Sequence, residues 1–417
     1  MGHKLVKVDL NAVTRKVFVD GTHRTRSPEE TLEAYSRFMP MMGITRLANI
    51  TGLDRIGLPV IVAVRPNSRA LSTSQGKGDT IAAAKASALM ESIETWHAER
   101  IGSPLLYESH AALSKRALTA DITRLPQRND ATLSPGRPIT WIEGYDVATG
   151  ESIWVPYASV MLNFVFQTGH VSQFESGSNG LASGNHHCEA VCHALCEVIE
   201  RDAMSLWELL PESERNARQI DLNTVTSPTL RRTLDLLHRH DIVVGIWDIS
   251  SDVNVPVFYA VIVEDPDSPN WRAVSTSAGY GAHLDPDIAL SRALNEAIQS
   301  RLTTISGSRD DLFPADYVRA SNKSDHATAI DIIRHPAPTR PMPLDGPAVS
   351  DHFEADLRTL LSCLANVGIE RVIVVDLTIP EVGIPVVKVV VPGLEGHPTP
   401  LSRHGLRAEA FLKDRSK

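Results

Sequence analysis

Short β-branched runs alternate along this chain with longer stretches rich in Ala and Leu. The run LPVIVAVRP at 58–66 predicts a buried strand, and the runs at 241–250 and 255–265 predict two paired strands. The segment 27–39 begins with Ser-Pro-Glu-Glu, which predicts a helix with a capping box at its first turn. Strands that lead through turns into helices predict a mixed α/β fold, of α/β or α+β type.

The pattern of hydrophobic and polar residues is weaker in the rest of the chain, but it still predicts a linker and further strands and helices. A Pro-rich stretch at 335–347 predicts a linker in front of a C-terminal unit. The other predicted elements are an edge strand at 4–10, a strand at 152–166, a helix at about 354–367, and two strands at 371–377 and 384–391.

Three segments combine a turn of small residues with a helix that carries acidic or amide side chains on one face; they span 76–100, 182–202 and 279–301. Residues four and seven apart share a face of a helix. Carboxylates stacked in this way repel one another, and divalent cations with a phosphate ligand are the natural candidates to offset the cost. The three faces hold Ser87, Glu91 and Glu94; Glu189, His193, Glu197 and Glu200; and Arg292, Glu296 and Gln299.

Composition narrows the class of protein. A chain of 417 residues with net charge −9 and a pI near 6.0 lacks the basic footprint of a nucleic-acid-binding protein. No stretch approaches the roughly 18 consecutive apolar residues of a membrane span, and the N-terminus lacks the apolar core of a signal peptide. These features predict a cytoplasmic protein that binds neither nucleic acid nor membrane.

The glycine pairs do not complete a known phosphate-binding motif. The segment 76–80 could present backbone N–H groups to an anion at a helix start. A Walker P-loop, however, would need Gly where Leu71 stands and Ser or Thr where Gly78 stands. The pair at 279–281 lacks the third glycine of a dinucleotide fingerprint, because that position is Leu284. Each pair alone is more typical of a plain turn.

Three of the four cysteines, Cys188, Cys192 and Cys196, form a stripe along the second acidic helix. At 1.5 Å rise per residue the outer two are about 12 Å apart, too far for zinc–sulfur bonds of about 2.3 Å to one ion. We therefore interpret the stripe as small apolar core residues.

The acidic faces indicate a different chemistry. Several carboxylates lie among Ala, Leu, Ile and Met, in segments that otherwise have the pattern of buried helices. Carboxylates in such surroundings indicate metal ligation, and Mg²⁺ takes oxygen ligands while bridging them to nucleotide phosphates. Arg201 follows the second face and could pair with phosphate.

In its sequence motifs the chain resembles the YcaO family. Three long motifs occur in order: S-A-x-x-E-x-x-E at 87–94, E-A-x-x-x-A-x-x-E-x-x-E-R-D at 189–202, and A-L-x-E-A-x-Q-S-R at 293–301. The resemblance covers about 21–401, which leaves an N-terminal extension at 1–20 and a charged tail at 402–417. It implies a YcaO fold whose ATP site is built from acidic helices, with no Walker motif.

The resemblance also implies a site. It implies that ATP and Mg²⁺ are the cofactors, and it names no catalytic side chain. By motif position the implied nucleotide contacts are Arg65, Ser72, Lys77, Ser87, Asn185, Arg201 and Gln299, and the implied metal ligands are Glu91, Glu94, Glu189, Glu197, Glu200 and Glu296.

The implied reaction is ATP-dependent phosphorylation of a peptide-backbone amide oxygen. The segment 376–395 resembles the branch that forms thioamides with a TfuA-like partner, and this reaction needs a sulfide source and a peptide or protein substrate. One alternative is an azoline-forming cyclodehydratase that acts on Cys, Ser or Thr of a precursor peptide. A non-enzymatic alternative is an ATP-binding scaffold. A homodimer is the expected assembly.

Overall fold

A computed structural model describes residues 6–165, 172–274, 276–320 and 322–415. The predicted edge strand at 4–10 falls partly outside these ranges, and residues 6–10 form no strand. Residue 166, the last of the predicted strand region at 152–166, also lies outside them. No helix within the described ranges is long and apolar enough to cross a membrane.

The helices largely follow the apolar periodicity of the sequence. The capping box is confirmed, since Ser27 and Glu30 each accept a hydrogen bond from the other's backbone N–H. The helices are α1 Pro28–Tyr35, α2 Met39–Met42, α3 Ile81–Ala98, α4 His110–Leu113, α5 His187–Glu208, α6 Glu212–Asn216, α7 Pro228–Arg239, α8 Pro286–Ser306, α9 Pro314–Ala320, α10 Lys323–Arg334, α11 Phe353–Asn366 and α12 Leu406–Arg415.

The strands confirm the predicted β-branched runs but are shorter than the sequence runs. The prediction at 152–166 holds only for its first third. The strands are β1 Arg46–Asn49, β2 Val60–Val64, β3 Thr73–Lys77, β4 Leu105–Ser109, β5 Gln127–Arg128, β6 Pro138–Asp146, β7 Ser152–Pro156, β8 Leu181–Ser183, β9 Ile242–Asp248, β10 Val257–Glu264, β11 Ser277–Ala282, β12 Ile373–Asp376, β13 Val386–Val390 and β14 Ser402–Arg403.

These strands form separate antiparallel sheets. One small sheet has the order β1-β2-β3, and a second has the order β11-β10-β9 with the predicted pairing of β9 and β10. The six-stranded sheet has the order β4-β6-β12-β13-β8, with β7 beside β6. Strands β5 and β14 pair separately.

Each acidic helix packs on a different sheet. Helix α3 lies on β2 and β3, α5 lies on β13 and β8, and α8 lies on β10 and β11. Each helix also contacts one strand of a neighbouring sheet: α3 contacts β8, α5 contacts β11 and α8 contacts β3. The three helix–sheet units therefore close into a ring, and their acidic faces meet inside it.

Glycines allow the close approach of strand and helix in two of these units. A Cβ on Gly76 of β3 would lie 2.0 Å from the backbone N of Ala88 in α3. A Cβ on Gly281 of β11 would lie 2.1 Å from the carbonyl oxygen of Ala289 in α8. The glycine pairs therefore serve helix packing on strands, and Gly76 lies within β3 rather than in the turn at the helix start, where Thr80 caps α3.

The C-terminal strands do not form a sheet of their own. Strand β12 pairs with β6, and β13 pairs with β8, so residues after the predicted linker complete the sheet begun by earlier ones. The Pro-rich stretch at 335–347 lies on the body of the protein, where Met342 is buried and Arg340 contacts Asp248 at 2.6 Å.

The cysteine stripe lies in the hydrophobic core. Cys188, Cys192 and Cys196 are buried among apolar residues as free thiols, and Cys192 donates a hydrogen bond to the carbonyl of Phe353 at 3.4 Å. Their environment fits the interpretation as small core residues.

Candidate active site

A cavity of about 1240 Å³ lies where the three acidic helices meet. It brings together residues that are far apart in the sequence, such as Lys77 and Gln299, which are 222 positions apart. The predicted site residues that line the cavity are Lys77, Ser87, Glu91, Glu94, Asn185, Glu189, Glu197, Glu200, Arg201, Glu296 and Gln299.

Arg65 and Ser72 are not among the lining residues. Arg65 follows the end of β2 and lies against the C-terminal end of α3. There its two terminal guanidinium nitrogens each contact a carboxylate oxygen of Glu99 at 2.6 Å, and the side chain is buried. Ser72 instead donates to Asp310 at 2.6 Å. Both side chains make contacts within the protein, and their assignment to the nucleotide from motif position stays a prediction.

The carboxylates of α3 are half-buried, and Glu94 lies on the helix face that meets β8. Glu94 accepts hydrogen bonds from the backbone N and the hydroxyl of Ser183 at 2.9 and 2.8 Å. Burial raises the pKa of Glu94 to about 8 despite these bonds, and burial raises the pKa of Glu91 to about 7. Burial therefore favours the protonated form of both carboxylates, and a cation bound beside them would favour the charged form.

Helix α5 supplies a second carboxylate pair and an arginine. Burial raises the pKa of Glu197 to about 7, although Arg201 opposes the shift. Glu200 accepts a hydrogen bond from the backbone N of Ala282 at 3.0 Å, and its other oxygen lies 3.6 Å from Arg201. Glu200 therefore ties α5 to the free edge of β11 while facing the cavity.

Helix α8 forms an ion pair with the last residue of β3. Lys77 contacts Glu296 at 3.0 Å, and both side chains are partly exposed. Burial alone would raise the pKa of Glu296, but Lys77 and Arg201 together lower it. The amide of Gln299 donates to the carbonyl of Gln75 at 3.1 Å. These contacts place α8 against β3.

Glu189 and Asn185 bind the segment from Thr25 to Thr31 beside the cavity. Glu189 accepts from the backbone N and hydroxyl of Thr25 at 2.9 and 2.6 Å. The amide of Asn185 donates to Thr31 at 3.1 Å. Two residues assigned to ligand binding from the sequence are therefore also engaged with protein.

Three arginines also line the cavity: Arg292 of the third acidic face, and Arg24 and Arg26, which no sequence motif had indicated. Arg24 and Arg26 flank Thr25, and the Nε of Arg24 lies 3.7 Å from Glu189. Arg292 contacts the Nδ1 of His193 at 3.2 Å. For Arg24 and Arg26 the signal in the sequence was the Arg-Thr-Arg run directly before the capping box of α1, but no spacing rule links that run to distant helices.

The donor set fits a nucleotide with Mg²⁺. Within the described ranges no group of three or more Asp, Glu, His or Cys side chains forms a ready-made metal cage. Mg²⁺ rarely uses such a cage, because it keeps several waters and takes one or two carboxylates together with phosphate oxygens. Carboxylates from α3, α5 and α8 interleaved with Lys77, Arg201 and Arg24 offer both kinds of contact.

Comparison with known proteins agrees with this geometry. Residues 75–395 match the family described as YcaO cyclodehydratase, ATP- and Mg²⁺-binding. A protein of Rhizobium leguminosarum bv. trifolii, named only as an uncharacterized protein in the tfuA 3′ region, is 34% identical over 381 residues, 89% of this chain and 88% of that one. An uncharacterized protein of Methanothermobacter thermautotrophicus is 35% identical over 92% of this chain and 98% of its own.

Solved structures share the fold. The YcaO protein of Methanopyrus kandleri, bound with AMPPCP and Mg²⁺, superposes with a TM-score of 0.72 at 25% identity, covering 91% of this chain and 94% of that one. A heterocyclase in complex with substrate and cofactor superposes with a TM-score of 0.75 at 24% identity, and this chain corresponds to 55% of its length. The chain therefore belongs to the YcaO family of ATP- and Mg²⁺-dependent, amide-activating enzymes.

Proposed function

We propose that this enzyme uses Mg²⁺-ATP to phosphorylate a backbone amide oxygen of a peptide or protein, leading to a thioamide. The observation that carries the proposal is the meeting of three acidic helix faces with Lys77 and Arg201 around one cavity. Phosphoryl transfer depends mainly on positioning and on neutralising phosphate charge, and this arrangement supplies both.

The proposed roles follow from the contacts. Glu91, Glu94 and Glu197 have pKa values raised by burial, so Mg²⁺ would relieve an existing electrostatic strain. Glu189, Glu200 and Glu296 would complete the acidic set while they hold neighbouring segments. The proposed nucleotide contacts are Lys77, Ser87, Asn185, Arg201 and Gln299, which all line the cavity.

The thioamide product is supported by the relative named for its position in a tfuA 3′ region. That name also supports a TfuA-like partner and, with it, a need for a sulfide source. We propose a homodimer as the assembly and the cytoplasm as the location.

The nucleotide step is tested first by calorimetry with Mg²⁺-AMPPCP. Glu197→Gln should weaken binding at least tenfold, because a neutral amide is a poor ligand for a hard cation. Glu409→Gln, on exposed α12, is the matched control and should leave affinity unchanged. Equal affinity in wild type and Glu197→Gln would remove this residue from the site.

The product is tested by mass spectrometry of a peptide encoded beside the gene. The reaction contains the enzyme, the TfuA-like partner, Mg²⁺-ATP and sulfide, and ADP and phosphate should appear. Exchange of oxygen for sulfur raises the peptide mass, whereas azoline formation lowers it by one water. A loss of water without any need for sulfide would establish the cyclodehydratase alternative. No nucleotide turnover under any condition would favour the scaffold.

A further inference from the structure

Lys388 is a buried cation that the proposed nucleotide site does not use. It is the one charged residue of β13, whose other members are all valine, and it is only 3% exposed. It nevertheless lines the cavity. Its Nζ donates to the carbonyl of Gly177 at 2.6 Å, and within the described ranges no ion pair joins it to a carboxylate. An ammonium has three N–H donors, so two remain for a ligand.

The loop that accepts this hydrogen bond carries a second unsatisfied group. The side-chain oxygen of Asn179 is buried and has no hydrogen-bond partner among the described residues. Asn179 lines the same cavity, two residues beyond the carbonyl that Lys388 contacts. A buried acceptor left unpaired costs about 1–3 kcal/mol, which a ligand N–H would recover.

The loop is held firmly against β13. Gly180 has φ +76°, and the backbone N of Val389 donates to its carbonyl at 2.7 Å. A Cβ on Gly180 would lie 2.4 Å from the carbonyl oxygen of Val389, so only glycine allows this approach. The positions of Lys388 and Asn179 are therefore built into the fold.

The two groups together match one ligand chemistry. A peptide backbone presents a carbonyl oxygen and an N–H, the complements of a free ammonium donor and a free amide oxygen. A phosphate or carboxylate would suit Lys388 alone, because neither it nor the Asn179 oxygen carries a proton to donate. Burial lowers the pKa of Lys388 to about 8, and the nearby Glu197 opposes this shift.

We propose that Lys388 and Asn179 form a subsite that binds the backbone of the substrate peptide, with Lys388 donating to a carbonyl and Asn179 accepting an N–H. The subsite rests on the proposed function, because it supplies the peptide whose amide is activated. The neighbouring acidic faces bind the nucleotide, so the cavity holds both reactants.

The test uses acetylated, amidated pentaglycine as a probe that has peptide groups but no side chains. Binding to the full chain saturated with Mg²⁺-AMPPCP is followed by saturation-transfer NMR. Lys388→Met and Asn179→Leu keep side-chain size and remove one polar group each. Lys413→Met, on exposed α12, is the matched control. Melting curves confirm that every variant is folded.

We expect each subsite variant to bind the probe about tenfold or more weakly, the loss typical of a hydrogen bond to a charged or buried group. Their Mg²⁺-AMPPCP affinity should stay within about threefold of wild type, as should the probe affinity of the Lys413 control. Equal probe binding by all variants, or no binding by wild type, would overturn the subsite. A matching loss of nucleotide affinity in Lys388→Met would assign Lys388 to the nucleotide instead. Failure of wild type to bind Mg²⁺-AMPPCP would count against the proposed function separately.

Discussion

Replacing Arg65 separates a structural role from a nucleotide-binding role. Arg65 and Glu99 form a buried ion pair with two contacts of 2.6 Å, and Arg65 also donates to the hydroxyls of Ser68 and Thr95 at 2.9 and 3.0 Å. The change Arg65→Met keeps the apolar stem of the side chain but leaves the carboxylate of Glu99 buried without its main partner.

The expected loss of stability is large. Removing one partner of a buried ion pair costs about 3–5 kcal/mol. An unfolding entropy of about 2.1 cal/mol/K per residue over 417 residues gives roughly 0.9 kcal/mol/K. The melting temperature should therefore fall by about 3–6 °C. Adding Glu99→Gln should restore part of this loss, because the buried group is then neutral.

The assay is differential scanning calorimetry of the protein without ligand, followed by titration with Mg²⁺-AMPPCP. Lys77→Met is the opposite control, since Lys77 lines the cavity and is partly exposed. It should weaken nucleotide binding with little change in melting temperature. The reasoning is refuted if Arg65→Met melts like wild type and binds the nucleotide many-fold more weakly, which would support Arg65 as a nucleotide contact.

Three further predictions follow from burial and packing. Cys188→Ala and Cys192→Ala should lower stability modestly and leave ATP turnover intact, and stoichiometric zinc that is lost with these changes would contradict this. Burial raises the pKa of Glu91 to about 7 and of Glu94 to about 8 from an ordinary 4.5, so the folded protein binds more protons than the unfolded chain between those values. Their contribution to the free energy of unfolding is complete below about pH 4.5 and is lost as the pH rises through 7 to 8. Denaturant titrations without Mg²⁺ should therefore give a lower free energy of unfolding at about pH 9 than at about pH 6. A higher value at the higher pH would contradict this prediction. Gly281→Ala should displace α8 from β11 and lower both stability and nucleotide affinity, because its Cβ would lie 2.1 Å from a backbone oxygen of α8; a fully active variant with unchanged melting would show that the strand can move without cost.

Local chemistry along the sequence determined much of the outcome. The capping box at Ser27 and Glu30, the buried strand β2 and the pairing of β9 with β10 follow from neighbouring residues alone. The acidic faces followed as well, since the 3.6-residue repeat of a helix decides which side chains share a face whatever the helix packs against. Most of the predicted site residues therefore reached the cavity.

Only the tertiary structure decided what each of these faces meets. The ring of three helix–sheet units depends on contacts between elements far apart in the chain. Strand β13 pairs with β8, and helix α8 contacts β3. Arg65, a predicted nucleotide contact, pairs with Glu99, and Lys388, which has the sequence pattern of a strand residue, lines the cavity. A charged side chain interacts strongly with the charges that lie near it in the low-dielectric interior. Those neighbours come from distant segments of the chain, so the local sequence does not reveal them.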